Sequence, residues 1–487
     1  MNRFFKRAKK PGFAGDVLKL ISGAAFAQGL TILASPFLTR LYAPEDFGLL
    51  ALFLSITSII NVIACLRYEL AIMLPDSDKE AANLLGVSLC FVILISILTV
   101  PIVWLGGPII LDLLKTPQLS AYLWLVPPMV FFNGVFLALN YWNSRTKNFG
   151  NLSIARVLQA IGTTGTQLGA GYTSYANGGS LVGASVFGSA VSTLVLGGQI
   201  WRDNGAWLKS YINLQGMIAG LKRYYKFPVF GIWSGFMNTV SVQLPTLILA
   251  SFFSSNVVGY YSLSYRLLGL PMGLIGNAFG QVFYQRAARA KAENTLNLTV
   301  EKNFRYLLSL GMLPFLLLTI IGNDIFIVFF GDKWAEAGVY TQILSLWTFF
   351  VFIGSPISTL SSILERQEIG FIFNIILLFS RFISLFIGGL IGNVRIGLIL
   401  FSLTGIVAWI WLTLWLTSQA GVKVKKCFNL LTMNFIYCLP FTLPILFAKW
   451  WFNFNHIILM ILAIIVCLIY YPLILLQLQN KNLNNLS

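Results

Sequence analysis

Long apolar runs separated by short polar segments make up nearly the whole chain. The runs continue for 18 to 25 residues without the alternation of apolar and polar positions that marks a membrane β-strand. An α-helix of about 20 apolar residues crosses a bilayer. The pattern therefore predicts an all-α integral membrane fold with about 14 transmembrane helices. Their predicted limits are residues 18–39, 47–66, 81–105, 120–141, 152–172, 181–200, 227–253, 256–284, 306–330, 339–364, 369–391, 396–419, 430–448 and 456–477.

Composition and charge agree with a membrane location. The chain is 57% hydrophobic and 10% charged, whereas soluble domains carry about 25% charged residues. Its net charge of +17 comes from Lys and Arg scattered through short loops, which is the pattern of topology signals and excludes nucleic acid as a partner. With a cytoplasmic N-terminus, 26 of the 33 Lys and Arg residues fall on the cytoplasmic side and five on the other. The sequence thus predicts that both termini are cytoplasmic.

The beginning of the chain resembles a secretory signal in one respect only. A basic segment at residues 3–10 precedes an apolar run, but that run continues to Leu38. A signal core has about 7–15 apolar residues. We therefore expect this run to be the first transmembrane helix, retained in the protein.

A weak internal repeat indicates how the helices are grouped. Residues 41–52 resemble residues 252–263, and each segment joins the first and second helix of a six-helix unit. Six is an even number, so the two units insert with the same orientation. This predicts two six-helix bundles related by an axis along the membrane normal, with a cavity between them. The expected domains are an N-terminal bundle (1–200), a cytoplasmic linker (201–226), a C-terminal bundle (227–419) and two extra helices (420–487).

The linker is expected to contain an amphipathic surface helix. Its apolar residues recur at spacings of four and three with basic residues nearby, which favours a helix lying on the cytoplasmic interface. A helix that binds a partner protein is the alternative. The apolar positions are Trp207, Tyr211, Leu214, Ile218 and Leu221.

Two arginines near the middle of predicted spans are the main chemical signal. Arg266 lies in the eighth span and Arg381 in the eleventh. A charged side chain at a helix centre costs about 2.5–3.5 kcal/mol on the insertion scale, so it needs water, protein or an anion. Buried acids are scarce, and Asp324 lies only near the outer end of the ninth span. A net cationic interior favours an anionic cargo such as a phosphate or carboxylate. Pairing with backbone carbonyls or a buried acid is the structural alternative.

Further polar residues extend this candidate site. Arg40 lies near the outer end of the first span, and Arg67, with Glu69 close by, lies on the cytoplasmic side; for both, snorkelling to the interface is the alternative. Asn238 and Gln243 lie in the seventh span, which prolines bracket. These two amides either bind sugar hydroxyls or join helices.

Other residue types point away from metal sites and histidine-based catalysis. The five cysteines show no metal-ligand spacing, and His456 is the one histidine in the sequence. We therefore predict no cofactor. Small residues spaced by four predict close helix packing. These pairs are Gly165/Gly169, Gly179/Gly183, Gly231/Gly235 and Gly276/Gly280.

Several segments together resemble one family. The segment from Phe37 to Gly48 (FLTRLYAPEDFG) is similar to the end of the first helix in polysaccharide-repeat-unit flippases. RYELAIMLP followed by AANL, starting at Arg67, resembles their next connection. The remaining similar segments are KFP at 226–228, QLP at 243–245, GYYSLSYR at 259–266 and FGDKWAEAG at 330–338. The order and spacing of these segments, from residue 17 to 340, carry the resemblance.

The resemblance implies a Wzx-type O-antigen flippase of the multidrug/oligosaccharidyl-lipid/polysaccharide exporter superfamily. Such proteins are V-shaped, alternating-access transporters of the bacterial inner membrane and not enzymes. They move undecaprenyl-pyrophosphate-linked oligosaccharides for lipopolysaccharide, capsule or exopolysaccharide synthesis. The implied partners are the lipid-linked oligosaccharide, membrane lipids, a polysaccharide polymerase and a chain-length regulator. This implication agrees with the cationic interior inferred above, and the candidate substrate-binding residues are Arg266, Arg381, Arg40, Arg67, Asn238 and Gln243.

Two other functions remain as alternatives. A multidrug or small-metabolite antiporter coupled to a cation needs an essential interior acid, for which Asp324 is the best candidate; the first span contains none. A polysaccharide polymerase or ligase needs a large outer loop with catalytic residues. The predicted outer loops are too short for that.

Overall fold

A computed structural model describes residues 13–483, and within that range the chain is helical with no β-strand. The predicted basic segment at residues 3–10 lies outside the described residues. The helices are α1 Phe13–Leu41, α2 Pro44–Asn61, α3 Tyr68–Ala71, α4 Asp78–Leu114, α5 Ser120–Leu123, α6 Val126–Arg145, α7 Phe149–Tyr172, α8 Gly178–Tyr211, α9 Leu214–Arg223, α10 Ile232–Phe252, α11 Ser255–Leu268, α12 Asn277–Ala292, α13 Leu296–Phe330, α14 Ala335–Ser358, α15 Leu360–Ile363, α16 Gln367–Ile391, α17 Val394–Gln419, α18 Val424–Trp450 and α19 His456–Leu483.

The all-α membrane fold predicted from the apolar runs is confirmed. Large apolar side chains project outward from the long helices; in α4, Leu94 is 49% exposed, Trp104 67% and Ile109 70%. Such contiguous apolar surface is unusual for a soluble protein, and lipid is the environment that it suits. The chain is therefore a multi-pass membrane protein.

Fewer helices than the predicted fourteen are both long enough and apolar enough to cross a membrane. Between residues 13 and 483, nine helices are long and apolar enough, or ten if the bent pair Pro117–Leu123 and Val126–Arg145 is one span. These two segments meet at 55°. Each of the fourteen predicted stretches coincides with a helix or with consecutive helices, but the count of fourteen is not confirmed.

The chain divides into two compact units, Met1–Gln243 and Leu244–Ser487. The division falls inside α10. In the first unit α1 packs on α7 and α7 on α8, while in the second unit α13 packs on α14 and α16 on α17.

The two units begin their helical hairpins in the same way. In the first, α1 ends at Leu41 and α2 begins at Pro44; in the second, α10 ends at Phe252 and α11 begins at Ser255. Both positions differ by 211, the offset of the predicted repeat. The residue before the second helix is extended in both, with ψ of 159° at Ala43 and 165° at Ser254. The repeat seen in the sequence thus corresponds to a repeated local structure.

The linker differs from the predicted single amphipathic helix. Trp207 and Tyr211 belong to the end of α8, which extends to Tyr211, and the remaining apolar positions belong to α9. The break occurs because the Asn213 side chain accepts a hydrogen bond from the backbone N–H of Gly216 at 2.8 Å and so begins a new helix. The α9 helix packs on α4, where Asn83 Oδ1 accepts from the Asn213 N–H at 2.9 Å.

Half of the predicted small-residue packing pairs are wrong or incomplete. A Cβ atom added at Gly165, Gly169 or Gly183 would have open space within 4 Å, so these glycines do not mediate a helix contact. A Cβ at Gly179 would instead meet the Tyr122 ring at 2.5 Å. Spacing alone does not tell which face of a helix meets a neighbour.

The two C-terminal helices attach to α13 through polar contacts. Ser309 Oγ donates to Asn434 Oδ1 of α18 at 3.0 Å, and the Tyr470 hydroxyl of α19 donates to the Ser309 carbonyl at 2.9 Å. The Tyr471 hydroxyl donates to the Leu310 carbonyl at 3.2 Å. In an apolar surrounding such bonds join helices without a hydrophobic driving force.

Candidate functional site

Arg381 lies on α16 beside an aromatic surface within the second unit. Its guanidinium carbon is 5.9 Å from the centre of the Phe401 ring on α17, at the outer range of a cation–π contact. Arg381 also lies near Tyr261 and Tyr265 of α11. Two helices thus bring aromatic groups to one arginine.

The aromatic surface is a continuous row of rings. Tyr261 stacks on Tyr265 at 5.8 Å, Tyr265 on Trp347 of α14 at 6.3 Å, and Trp347 meets the edge of Phe401 at 4.9 Å. Room for Trp347 exists because residue 405 is glycine; a Cβ there would lie 2.5 Å from the indole ring. Three of the rings are buried, and Tyr265 is 41% exposed. Tyr265 is therefore the accessible part of the row.

Arg266 follows Tyr265 in the last turn of α11 and is exposed. Among the described residues it has no hydrogen-bonding or ion-pair partner. Its helix ends at Leu268, and a π-helical turn at Met272–Gly276 precedes α12. The predicted eighth span is thus interrupted just after Arg266, as its prolines and glycines indicated. The carbonyl end of a helix favours a cation, which helps to hold the charge there.

The structure does not place Arg266 and Arg381 in one contact group. Arg381 belongs to the ring row, whereas Arg266 has no partner within the described part of the chain. The positions of the charged residues in the sequence do not indicate these rings. Their signal was present, because Tyr261 and Tyr265 are four residues apart in the segment GYYSLSYR and so share one helix face.

Arg67 forms a second cationic site in the first unit. It precedes α3 in the left-handed region, with φ of 65°, and its Nη1 is 3.8 Å from Oε1 of the buried Glu69. The guanidinium lies against Gly235, where an added Cβ would overlap it, and its Cγ is 3.4 Å from the Cβ position of Gly231. Arg67 Nε and Glu69 Oε2 are both buried without a hydrogen-bonding partner among described residues.

Burial also changes the acid–base behaviour of Glu69, which lies in the short helix Tyr68–Ala71 outside the membrane-crossing helices. Burial raises the pKa of Glu69, although a backbone hydrogen bond and the charge of Arg67 lower it. Because the pKa is raised overall, the effect of burial is larger than the two opposing effects, and Arg67 offsets only part of the desolvation free energy of the buried carboxylate. The pair is therefore a buried ion pair with unsatisfied polar atoms and not a simple surface ion pair.

The other predicted site residues differ in exposure and in hydrogen bonding. Arg40 lies in the last turn of α1 and is exposed. Gln243 accepts a hydrogen bond from Ser55 Oγ of α2 at 2.9 Å, which corresponds to the alternative of joining helices. Asn238 is exposed on α10 and has no partner among the described residues, so its amide is available to a ligand.

Asp324, the acid considered for cation coupling, is occupied by two neighbours. Lys449 Nζ is 2.7 Å from Asp324 Oδ2, and His456 Nδ1 is 2.6 Å from Oδ1. Lys449 also donates to the Ile320 carbonyl at 2.8 Å. The carboxylate, 4% exposed, ties the ends of α18 and α19 to α13. Within residues 13–483, no group of three or more His, Cys, Asp or Glu side chains is arranged to hold a metal ion.

Comparison with known proteins gives a consistent set of similarities. The chain matches the family described as polysaccharide biosynthesis protein over residues 37–339. It is 26% identical over 398 residues to the lipopolysaccharide biosynthesis protein WzxC of Escherichia coli (strain K12), covering 76% of this chain and 75% of WzxC. It is 25% identical over 130 residues to the teichuronic acid biosynthesis protein TuaB of Bacillus subtilis (strain 168), which covers 26% of this chain and 27% of TuaB.

Two solved structures share the fold. The lipid II flippase MurJ in an inward closed conformation has a TM-score of 0.72 at 17% identity, covering 94% of this chain and 99% of MurJ. An inward-facing multidrug resistance MATE family transporter of the MOP superfamily has a TM-score of 0.63 at 16% identity, covering 82% and 96%. At these identities the likeness describes the architecture and not the cargo.

Proposed function

We propose a function for this chain, which belongs to the polysaccharide biosynthesis protein family: it translocates an undecaprenyl-pyrophosphate-linked oligosaccharide across the bacterial inner membrane by alternating access. The family membership predicted from the sequence is confirmed. The names of WzxC and TuaB, which refer to lipopolysaccharide and teichuronic acid biosynthesis, support a glycan precursor as the cargo. The architecture shared with MurJ and with the MATE family transporter supports a transporter fold for this chain.

One observation carries the proposal, namely that Arg266 is exposed and has no polar partner among the described residues of a membrane-embedded chain. A guanidinium in that position is costly unless it meets water or an anion, since the described protein supplies no polar partner. A pyrophosphate accepts two parallel hydrogen bonds from one guanidinium, which makes arginine the residue suited to it. We assign the binding of the pyrophosphate to Arg266, with Arg381 as the second cation.

The neighbouring groups suit the sugar part of the same cargo. Tyr265 offers an exposed ring face with a hydroxyl at its edge, and amphipathic aromatic groups bind partly apolar, partly polar molecules. Asn238, which belongs to the first unit, is proposed separately as an amide that binds sugar hydroxyls. Arg40 and Arg67 are proposed as cations at the outer and inner ends of the path, while Gln243 joins helices and has a supporting role.

Orientation and partners complete the proposal. The excess of Lys and Arg in alternate loops favours cytoplasmic N- and C-termini. The oligosaccharide therefore enters from the cytoplasmic leaflet and leaves on the periplasmic side, where a polysaccharide polymerase and a chain-length regulator use it. The π-helical turns at Phe227–Gly231 and Met272–Gly276 are the proposed points of bending, because such turns are frequent at functional sites.

The alternative function, a cation-coupled multidrug antiporter, has less support. It needs an interior acid that is available to a cation, and Asp324 is held by Lys449 and His456. The family match and the named relatives also favour the glycan precursor over a drug.

The experiment removes the two arginines in cells that lack the chromosomal gene. Arg266→Ala and Arg381→Ala are each expected to lower the rate of surface glycan production about tenfold or more. A hydrogen bond to a charged group is worth about 1.5–3 kcal/mol, and 1.4 kcal/mol corresponds to a factor of ten. The control is Arg202→Ala, which removes an arginine that is 77% exposed and should leave glycan unchanged. Normal glycan from a double variant with normal protein abundance would refute the assigned role.

A further inference from the structure

A cavity of about 920 Å³ lies between α12 and α13 in the second unit. It is distinct from the ring row beside Arg381, because its lining comes from most of the length of α12, the start of α13 and the loop that joins them. The proposed function assigns nothing to it. Its two ends differ in chemistry, and that difference indicates a ligand.

One end of the cavity is apolar and the other is basic. On α12, Phe279, Val282 and Phe283 line the first part, and Arg286 and Arg289 line the last part. These positions recur every three or four residues, so they form one stripe along the helix. From Phe279 to Arg289 the helix rises by about 15 Å, at about 1.5 Å per residue. A molecule lying along this stripe meets hydrocarbon first and charge second.

The facing helix adds a third cation and an unsatisfied amide. Lys302 of α13 lines the cavity, with its amine 6.0 Å from the Tyr306 ring. Asn303 lines it as well; this side chain is only 8% exposed, and its Nδ2 is buried without a hydrogen-bonding partner among the described residues. A buried amide without a partner is costly, and a ligand oxygen would satisfy it.

The cations of the cavity are not neutralised by the protein. Arg286, Arg289 and Lys302 have no ion pair with any described residue, whereas the nearby Arg305 pairs with Glu301 at 3.0 Å. Glu293 also lines the cavity, so the three cations and one acid leave a net formal charge of +2. An anion with more than one negative oxygen fits this charge.

We propose that this cavity binds a phosphorylated lipid of the cytoplasmic leaflet. The phosphate head group contacts Arg286, Arg289, Lys302 and the Asn303 amide, and the hydrocarbon chain lies along Phe279 and Val282. A free phosphate would leave the apolar end empty, and a neutral lipid would leave the cations unpaired. The chemistry is shared by an anionic membrane phospholipid and by a polyprenyl phosphate, and the experiment separates these two sources.

The test uses the purified full-length chain and native mass spectrometry with lipid titrations. The probes are phosphatidylglycerol, undecaprenyl phosphate and zwitterionic phosphatidylcholine as the reference. The Arg286→Gln/Arg289→Gln variant should bind one or both anionic probes about tenfold more weakly or worse, and phosphatidylcholine unchanged. The matched control is Lys423→Gln/Lys425→Gln, which removes two exposed charges at the start of α18 on the same predicted side. It should change binding less than twofold.

A second variant addresses the amide without changing the charge. Asn303→Leu keeps a side chain of similar size and should weaken the same probe several-fold, while gel filtration checks that each variant is folded. If the variants bind only phosphatidylglycerol more weakly, the site takes a membrane phospholipid. If they bind only undecaprenyl phosphate more weakly, the site takes a carrier lipid. If they bind both more weakly, the site recognises the phosphate head group that the two lipids share. Equal losses in R286Q/R289Q and the control, or no loss in either, would overturn the proposal. The phosphatidylglycerol result is independent of whether the chain transports glycan.

Discussion

The position of the Arg67 guanidinium depends on a glycine, Gly235, which has no side chain to exclude it. Its guanidinium occupies the space beside Gly235 that a Cβ would fill, and Gly231 allows the aliphatic part to pass. The sequence indicated that Arg67 and Glu69 are close, because they are two residues apart. It did not indicate the contact with α10, since Gly235 is far along the chain and its GxxxG spacing is that of ordinary helix packing.

We predict that Gly235→Val lowers glycan export about tenfold, because the new side chain displaces the Arg67 guanidinium. A hydrogen bond from the Arg67 guanidinium to a charged cargo group is worth about 1.5–3 kcal/mol, and 1.4 kcal/mol corresponds to a factor of ten. Arg67→Ala should have a similar effect, and the double variant should be no worse than either single one, since both remove the same interaction. The measurement is surface glycan per molecule of expressed protein.

The control for this prediction is Gly183→Val on α8, where a side chain would meet open space. It should export normally. Additive losses from Arg67→Ala and Gly235→Val would show that the two positions act separately, contrary to the prediction.

At the scale of helices, the ends of α18 and α19 are held to α13 by Asp324. Lys449 and His456, its partners, are 125 and 132 residues away along the chain. The sequence located the acid and the ends of the helices but gave no sign of this pairing, because it depends on which helix the added pair packs against. Helix breaks were easier to predict: Gly269 and Pro271 mark the interruption after α11.

We predict that Asp324→Asn lowers the stability of the protein while export continues. The change removes the charge that Lys449 and His456 share. Breaking a hydrogen bond to a buried charged group costs about 1–3 kcal/mol, and the exposure of both partners keeps the loss below that of a fully buried pair. The measurement is the midpoint of thermal unfolding of the purified protein, compared with glycan export in cells.

The control for Asp324 is Glu368→Gln. Glu368 is 56% exposed and only 3.5 Å from Arg366, so its loss should not shift the unfolding midpoint. A folded Asp324→Asn variant that has lost all glycan export would contradict this structural role and would assign Asp324 to the transport cycle itself.

At the scale of the molecule, the pattern of apolar runs sufficed for the all-α membrane fold and for the repeat at an offset of 211. The linker was less predictable, because a continuous amphipathic spacing concealed a new helix start at Asn213. The pattern of charged residues did not predict the ring row, because only the fold brings Trp347 and Phe401 to Tyr265. Contacts between side chains of different helices can be identified only from the tertiary structure.

The most direct test of the central claim is lipid flipping by the purified protein. Vesicles containing a fluorescent undecaprenyl-pyrophosphate oligosaccharide are prepared with the chain, with its Arg266→Ala/Arg381→Ala variant, or without protein, and an impermeant quencher reports the fraction of label in the outer leaflet. We predict rapid exchange of the label between leaflets with the unaltered chain, and exchange at least tenfold slower with the variant. An exchange rate with the unaltered chain equal to that of protein-free vesicles, or equal rates for chain and variant, would contradict the account.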